Sequence, residues 1–149
     1  MKFSIAPVLL LVGVLTSTGC RKDPGTTPAP TYSVEVRLTG TDGAALGPVA
    51  DVSIKHDLQP DQHLQGTVVP ENGTLTLPIG NAKPTDEMIV EVGFTQVDQT
   101  STVQLRPNSK ITGEIIINGQ VKATVVLDKS FKYWTNTYAS NTVRVMVSK

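Results

Sequence analysis

The chain lacks an excess of charge of either sign. It has 13 Lys and Arg against 13 Asp and Glu in 149 residues, so its formal net charge at pH 7 is zero, and like charges form no run. Nucleic acid binding requires a basic patch, and so does electrostatic recruitment to an anionic surface. We therefore expect neither a nucleic acid partner nor recruitment by charge.

Cysteine and long apolar runs are also scarce. Cys20 is the only cysteine, so no intrachain disulfide can form, and the core must stabilise the fold alone. A transmembrane helix needs roughly 20 apolar residues. The apolar run over residues 5–15 is shorter than that and contains Pro7. The run is therefore typical of an export signal and not of a permanent membrane span.

The N-terminal segment combines Lys2, the apolar run, small residues at positions 16–19, and Cys20. This pattern resembles the lipobox of bacterial lipoproteins: Gly19 fits it, whereas Ser17 occupies a place where an aliphatic residue is commoner. The resemblance implies that residues 1–19 are a cleaved signal peptide and that Cys20 carries the lipid anchor. The alternatives are an ordinary secretory signal, or a cysteine buried as a small apolar side chain.

Residues 20–31 are predicted to form a tether behind the lipidated cysteine. Residues 24–31 include three prolines and one glycine and carry no charge, a composition that favours extended polyproline II structure. Such a stalk spans about 30 Å or less, at ~3.1 Å per residue. Arg21, Lys22 and Asp23 resemble the export tags of some surface lipoproteins. We expect an outer-membrane protein that faces the periplasm or the cell surface.

Residues 32–149 have the size of a single domain and alternate apolar with polar side chains throughout. Period-2 alternation is typical of strands with one wet face, and no segment has helical periodicity with caps. We predict an all-β fold, a single antiparallel β-sandwich of about eight or nine strands. The predicted core-facing residues are Val34, Val36, Leu38, Ala50, Val52, Ile54, Leu75, Leu77, Ile79, Met88, Val90, Val92, Phe94, Val103, Leu105, Ile111, Ile115, Ile117, Val121, Ala123, Val125, Leu127, Val143, Val145 and Val147.

Two Asn-Gly pairs predict hairpins. For Asn72-Gly73, a two-residue type I′ turn keeps apolar residues on one face and places Val68 opposite Leu77. For Asn118-Gly119, the same turn would oppose core to solvent positions. A three-residue loop with a bulge is therefore predicted there. It pairs Ile117 with Val121, Ile115 with Ala123, Gly113 with Val125, and Ile111 with Leu127.

The order of strands and turns carries a family resemblance. Strands around Asp42-Gly43, then Gly66-Thr67, Asn72-Gly73 and Gly93-Phe94 look like the transthyretin-like, carboxypeptidase-regulatory-like module. A generic immunoglobulin-like sandwich is the alternative, because many sandwiches share this turn chemistry. Neither resemblance implies an enzyme.

Polar and metal-ligating side chains concentrate in residues 56–63. His56, Asp57, Asp61 and His63 are ligand types suited to zinc or other divalent metals. Pro60 and its polar neighbours equally fit an ordinary loop between strands, and this interpretation is preferred. No nucleophile turn lies near either histidine, and Asp86 and Glu87 are adjacent on the approach to a strand, so they point apart. We predict no cofactor and no catalytic residue.

Aromatic residues make up only 5% of the chain, yet Phe131, Tyr133, Trp134 and Tyr138 lie within eight positions. The preferred interpretation is that they cover one end of the core. On a strand, however, either Tyr133 or Trp134 must face outward, and exposed aromatics bind sugars and proteins. We therefore expect a non-catalytic binding or structural module of the cell envelope with a protein or glycan partner. A metal-dependent or enzymatic role at His56–His63 is the less favoured alternative.

Overall fold

The computed structural model describes residues 29–57, 59–97, 106–130 and 139–148. These residues form two four-stranded sheets, in the orders β4-β1-β6-β7 and β3-β2-β5-β8, and all neighbouring strands are antiparallel. The predicted all-β antiparallel sandwich is confirmed, with eight strands in the described residues. The strands are β1 (Tyr32–Thr41), β2 (Pro48–Lys55), β3 (Gln62–Val68), β4 (Gly73–Ala82), β5 (Glu87–Phe94), β6 (Lys110–Ile117), β7 (Gln120–Asp128) and β8 (Ala139–Met146).

The core lies between the two sheets and is formed mainly by the central strands. On β1 and β5, every predicted inward residue is at most 2% exposed. On the edge strands the coverage of inward positions varies: Leu77 and Ile79 of β4 are half-buried and Val121 of β7 is 47% exposed, whereas Val125 and Leu127 of β7 are buried. Val103 and Leu105 lie outside the described residues.

The strands define two ends of the sandwich. The stalk end is where β1 begins at Tyr32, and it includes residues 56–61, 83–86, 118–119 and 147–148. The far end is where β1 finishes, and it includes residues 42–47, 69–72, 106–109 and 129–130. Since β1 has ten residues, the two ends are about 30 Å apart at ~3.3 Å per residue.

The predicted hairpin at Asn72-Gly73 is wrong. β3 pairs with β2 and β4 pairs with β1, so Val68 and Leu77 belong to different sheets. A type I′ turn needs a positive φ at both central residues. Gly73 has a φ of 138°, but Asn72 has no positive φ.

Residues 69–72 instead carry the chain from one sheet to the other. Val69 is fully buried, and its N–H donates to Pro48 O at 3.0 Å. Glu71 O accepts from Gly43 N–H at 3.0 Å, and the Asn72 side chain accepts from Asp42 N–H at 2.8 Å. These hydrogen bonds join residues 69–72 to Pro48 and to the β1–β2 loop, which are distant in the chain. They take the place of the pairing that a β3–β4 hairpin would have formed.

The hairpin at Asn118-Gly119 is partly as predicted. The pairs Ile111–Leu127, Gly113–Val125 and Ile115–Ala123 are confirmed. The three-residue loop is wrong, since Ile117 pairs with Gln120 across a two-residue turn in which both Asn118 and Gly119 have positive φ. A bulge at Lys122 restores the predicted register farther along β7. The tight turn and the buried register are thus both kept, at the cost of one unpaired residue.

Candidate functional site

Three predicted functional residues lie outside the described residues: Cys20, Tyr133 and Trp134. The structure does describe the two residues that flank the aromatic segment, residues 131–138. Ser130 lies two residues beyond the end of β7, and Ala139 begins β8 opposite Phe94. Both residues lie at the far end of the sandwich. Residues 131–138 therefore connect two points that are remote from the start of β1.

The four candidate metal ligands do not form one cluster. His63 is on β3, exposed, opposite Ser53, whereas Asp57 and Asp61 are exposed in the loop before β3. His56 instead faces Asp86, with its Nδ1 3.1 Å from Asp86 Oδ1. In the described part of the chain, no group of three or more His, Cys, Asp or Glu side chains is arranged to hold a metal ion.

Asp86 has an architectural role at the stalk end. Its Oδ2 accepts from Lys83 N–H at 2.7 Å, and its own N–H donates to Lys83 O at 3.1 Å, so it closes the turn before β5. Its carbonyl accepts from Val147 N–H at 2.9 Å. The Asp86 side chain is 2% exposed and that of His56 is 11% exposed. The contact between them is not aligned as a hydrogen bond, and His56 Nε2 has no partner among the described residues.

The side of the sandwich between β3 and β4 is open. On the opposite side, Asn141 Nδ2 of β8 donates to Val126 O of β7 at 2.8 Å and links the two sheets. Between β3 and β4 lies instead an apolar cleft of about 420 Å³, here called the edge cleft. It is lined by Val52, Ile54, Gln62, His63, Leu64, Pro78 and Ile79.

Both strands that border the edge cleft are interrupted. β3 bulges at Gly66, whose N–H donates to Asp51 Oδ1 at 2.6 Å, and β4 shifts register at Ile79, next to Pro78. Bulges and proline on edge strands hinder pairing with another chain. The edge cleft therefore does not present a regular strand for sheet extension.

A larger and more polar cleft lies at the far end. This far-end cleft has a volume of about 750 Å³ and is lined by Thr41, Pro107, Asn108, Ser109, Lys110, Asp128, Lys129 and Ser130. Thr41, Lys110 and Asp128 are neighbours across β1, β6 and β7. Since these positions alternate with the buried Ile111 and Leu127, their side chains are on the outer face of the sheet.

One wall of the far-end cleft is a hydrogen-bonded turn over residues 106–109. Ser109 is fully buried, and its hydroxyl donates to Asp42 O at 2.8 Å and accepts from Arg106 N–H at 3.1 Å. The Arg106 guanidinium binds Asp42 Oδ1 at 2.8 Å. The turn is therefore attached to the β1–β2 loop by both backbone and side-chain contacts.

The other wall carries a carboxylate in a defined position. Asp128 Oδ1 accepts from the Ser130 hydroxyl at 2.6 Å and from Ser130 N–H at 2.8 Å. These two bonds lower the pKa of Asp128 below its ordinary value of 3.8, the hydroxyl most; burial opposes the shift, and the charge of Lys110 makes the smallest contribution towards lowering it. At neutral pH the cleft therefore presents an ionised acceptor near Lys110, and Lys129 also lines the cleft.

We expect Ser130→Ala to raise the pKa of Asp128 towards its ordinary value, because the largest stabilising hydrogen bond to the ionised form is lost. A carboxylate with a lowered pKa stabilises the fold above its ordinary pKa, and this stabilisation disappears as pH falls through the folded-state pKa. NMR titration of the Asp128 carboxyl carbon measures the shift directly. The exposed Ser148→Ala at the stalk end is the control, and an unchanged Asp128 titration in Ser130→Ala would contradict the assignment.

Neither the far-end cleft nor the His56–Asp86 contact was found from sequence. Each joins residues from separate strands and loops, and no local motif marks them. The described residues contain no helix with the length and apolarity of a membrane span. No protein-family model matches the sequence, and neither does any curated protein.

Proposed function

We propose that this chain is a lipid-anchored lipoprotein whose β-sandwich serves the bacterial cell envelope as a non-catalytic binding or structural module. The observation that carries the proposal is the order along the chain: an apolar run, Gly19-Cys20, and a proline-rich stalk that leads into β1 at Tyr32. Such an order is what tethering a folded domain to a bilayer requires. Lipid on Cys20 anchors the chain without spanning the membrane.

The proposed location is the outer membrane, on its periplasmic or its cell-surface face. A diacylglyceryl group with an additional amide-linked chain supplies more than one acyl tail, which is the condition for stable attachment. The stalk end of the domain lies nearest to the bilayer in this arrangement. The far end faces away from it, towards an envelope protein or a glycan.

A non-catalytic role is supported by the different surroundings of the two histidines. His56 is enclosed beside Asp86 in the packing of the stalk end, and His63 stands exposed on an edge strand. The two imidazoles thus have different surroundings and do not converge with the carboxylates of residues 57 and 61.

The anchor is tested with Cys20→Ala. We expect the membrane-bound fraction to fall from nearly all of the protein to nearly none, because each buried methylene of the acyl chains contributes about 0.8 kcal/mol to membrane affinity. Incorporation of a labelled fatty acid and fractionation of cells measure the effect. Ser17→Ala, in the predicted signal, is the control and should keep the label. An alanine variant that stays labelled and membrane-bound would refute the proposal.

Glycan binding is the second candidate function. Ser130 and Ala139, which flank the segment containing Tyr133 and Trp134, lie at the far end, which is also where the polar cleft is found. Exposed aromatic rings and polar groups close together are the usual components of a sugar site.

A further inference from the structure

We infer that the far-end cleft binds an acidic carbohydrate, a saccharide that carries carboxylate groups. The inference deepens the proposed function and rests on it for the orientation of the domain, with the far end directed away from the membrane. The chemistry of the ligand is inferred from the side chains that line the cleft. The volume of about 750 Å³ lies within the range of ~300–1,000 Å³ typical of small-ligand sites.

The charges of the cleft select an anionic ligand. Lys110 and Lys129 line it, and neither forms an ion pair with any carboxylate of the described ranges. The other cation nearby, Arg106, is already paired with Asp42. Two ammonium groups against the single carboxylate of Asp128 leave a local excess of positive charge in a chain that has none overall.

Asp128 adds a second requirement. An ionised carboxylate only accepts hydrogen bonds, so a ligand beside it must donate. A bare inorganic anion or a fully ionised phosphate satisfies the lysines but is repelled by Asp128. A sugar acid satisfies both, because its carboxylate accepts from the ammonium groups while its hydroxyls donate to Asp128. Thr41, Asn108 and Ser130 provide further hydroxyl and amide groups for the same ring hydroxyls.

The cleft is also held in place before any ligand binds. Ser130 orients the Asp128 carboxylate through two hydrogen bonds, and Ser109 fastens the opposite wall to the backbone of Asp42. Thr41 and Lys110 project from adjacent paired strands. The Asp128 carboxylate and the turn over residues 106–109, which are fixed in this way, lose little conformational freedom on binding, and this favours affinity.

The test uses the full chain, purified in non-ionic detergent, and two fluorescent probes: a hexamer of galacturonic acid and its methyl ester. The ester has the same rings and hydroxyls but no carboxylate charge. Fluorescence anisotropy should detect binding of the acid, with the ester bound on the order of tenfold more weakly. Lys110→Gln/Lys129→Gln should weaken acid binding by about tenfold or more and remove the preference over the ester.

A matched control separates the cleft from general charge attraction. Lys55→Gln/Lys83→Gln removes the same charge from exposed positions at the end of β2 and at the stalk end. It should leave acid binding unchanged. Asp128→Asn should weaken binding of the ester, because a ring hydroxyl loses its ionised acceptor, and should weaken the acid less, because the same change removes a charge that repels its carboxylates. Thermal unfolding of each variant verifies that the fold is intact.

Three results would overturn the inference: no binding of the acid at millimolar concentration, equal binding of acid and ester, or equal weakening by the two lysine double variants. Because the chain is studied in detergent, the binding result does not depend on whether Cys20 carries lipid. Failure of the cleft and failure of the anchor, which is tested by labelling Cys20→Ala, are therefore distinguishable.

Discussion

Gly40→Ala is expected to destabilise the domain by about 3 kcal/mol or more, because the added methyl group would make the closest approach found at any glycine of the described ranges. A Cβ at Gly40 would lie 1.9 Å from Pro70 O and 3.1 Å from the carbonyl carbon of Pro70. Gly40 pairs with Gly73 on one side and Ile111 on the other, so β1 is held in both directions. The clash is with backbone and not with a flexible side chain, and relieving it requires the crossing at residues 69–72 to move.

The measurement is the free energy of unfolding in urea. Small domains are stable by only about 5–15 kcal/mol, so the loss shifts the unfolding midpoint strongly. Gly119→Ala is the control: it has a φ of 75° but no atom within 4 Å of the added Cβ, so only a backbone cost of about 1–2 kcal/mol is expected. Equal losses in the two variants would show that the close approach of Pro70 to β1 is not rigid.

Phe94→Ala is expected to cost about 3–5 kcal/mol, the typical price of emptying a phenylalanine site in a packed core. Phe94 is fully buried and heads the buried side chains when these are ordered by size. It ends β5, between Pro48 of β2 and Ala139 of β8, so a cavity there weakens the far end of the sandwich.

Val68→Ala is the control for this prediction. Val68 is 73% exposed, and its truncation should change the free energy of unfolding by less than about 0.5 kcal/mol. Urea unfolding of both variants compares the two positions. A cost below about 1 kcal/mol for Phe94→Ala would mean that the surrounding side chains collapse into the vacated space. This would contradict the expectation that the hydrogen-bonded sheets keep their positions and leave a cavity.

Alternation predicted which side chains form the core because a strand has a period of two. Val34, Val36 and Leu38 are buried as predicted, and the same is true of Met88 and the residues that alternate with it on β5. This inference needed no knowledge of the partner strands. The resemblance to a transthyretin-like or immunoglobulin-like module needed more than alternation, and it stays a prediction.

The two Asn-Gly pairs show where local chemistry stops being decisive. Asn118 and Gly119 adopt the positive φ values that the dipeptide favours, and a hairpin forms. Asn72 does not, because residues 69–72 bond to the β1–β2 loop and cross between sheets. Identical dipeptides thus have different roles, since contacts made far along the chain outweigh a turn preference.

The sequence by itself determined the strand faces, the antiparallel sandwich class, and the pattern around Cys20 from which a lipid anchor is proposed. All three depend on residues close together in the chain. Apart from the β6–β7 hairpin, only the tertiary structure decided which strands pair, and it alone decided that His56 faces Asp86 and that Thr41, Lys110 and Asp128 line one cleft. These features depend on segments that meet only after folding, because strand pairing brings together residues whose separation in sequence carries no local signal.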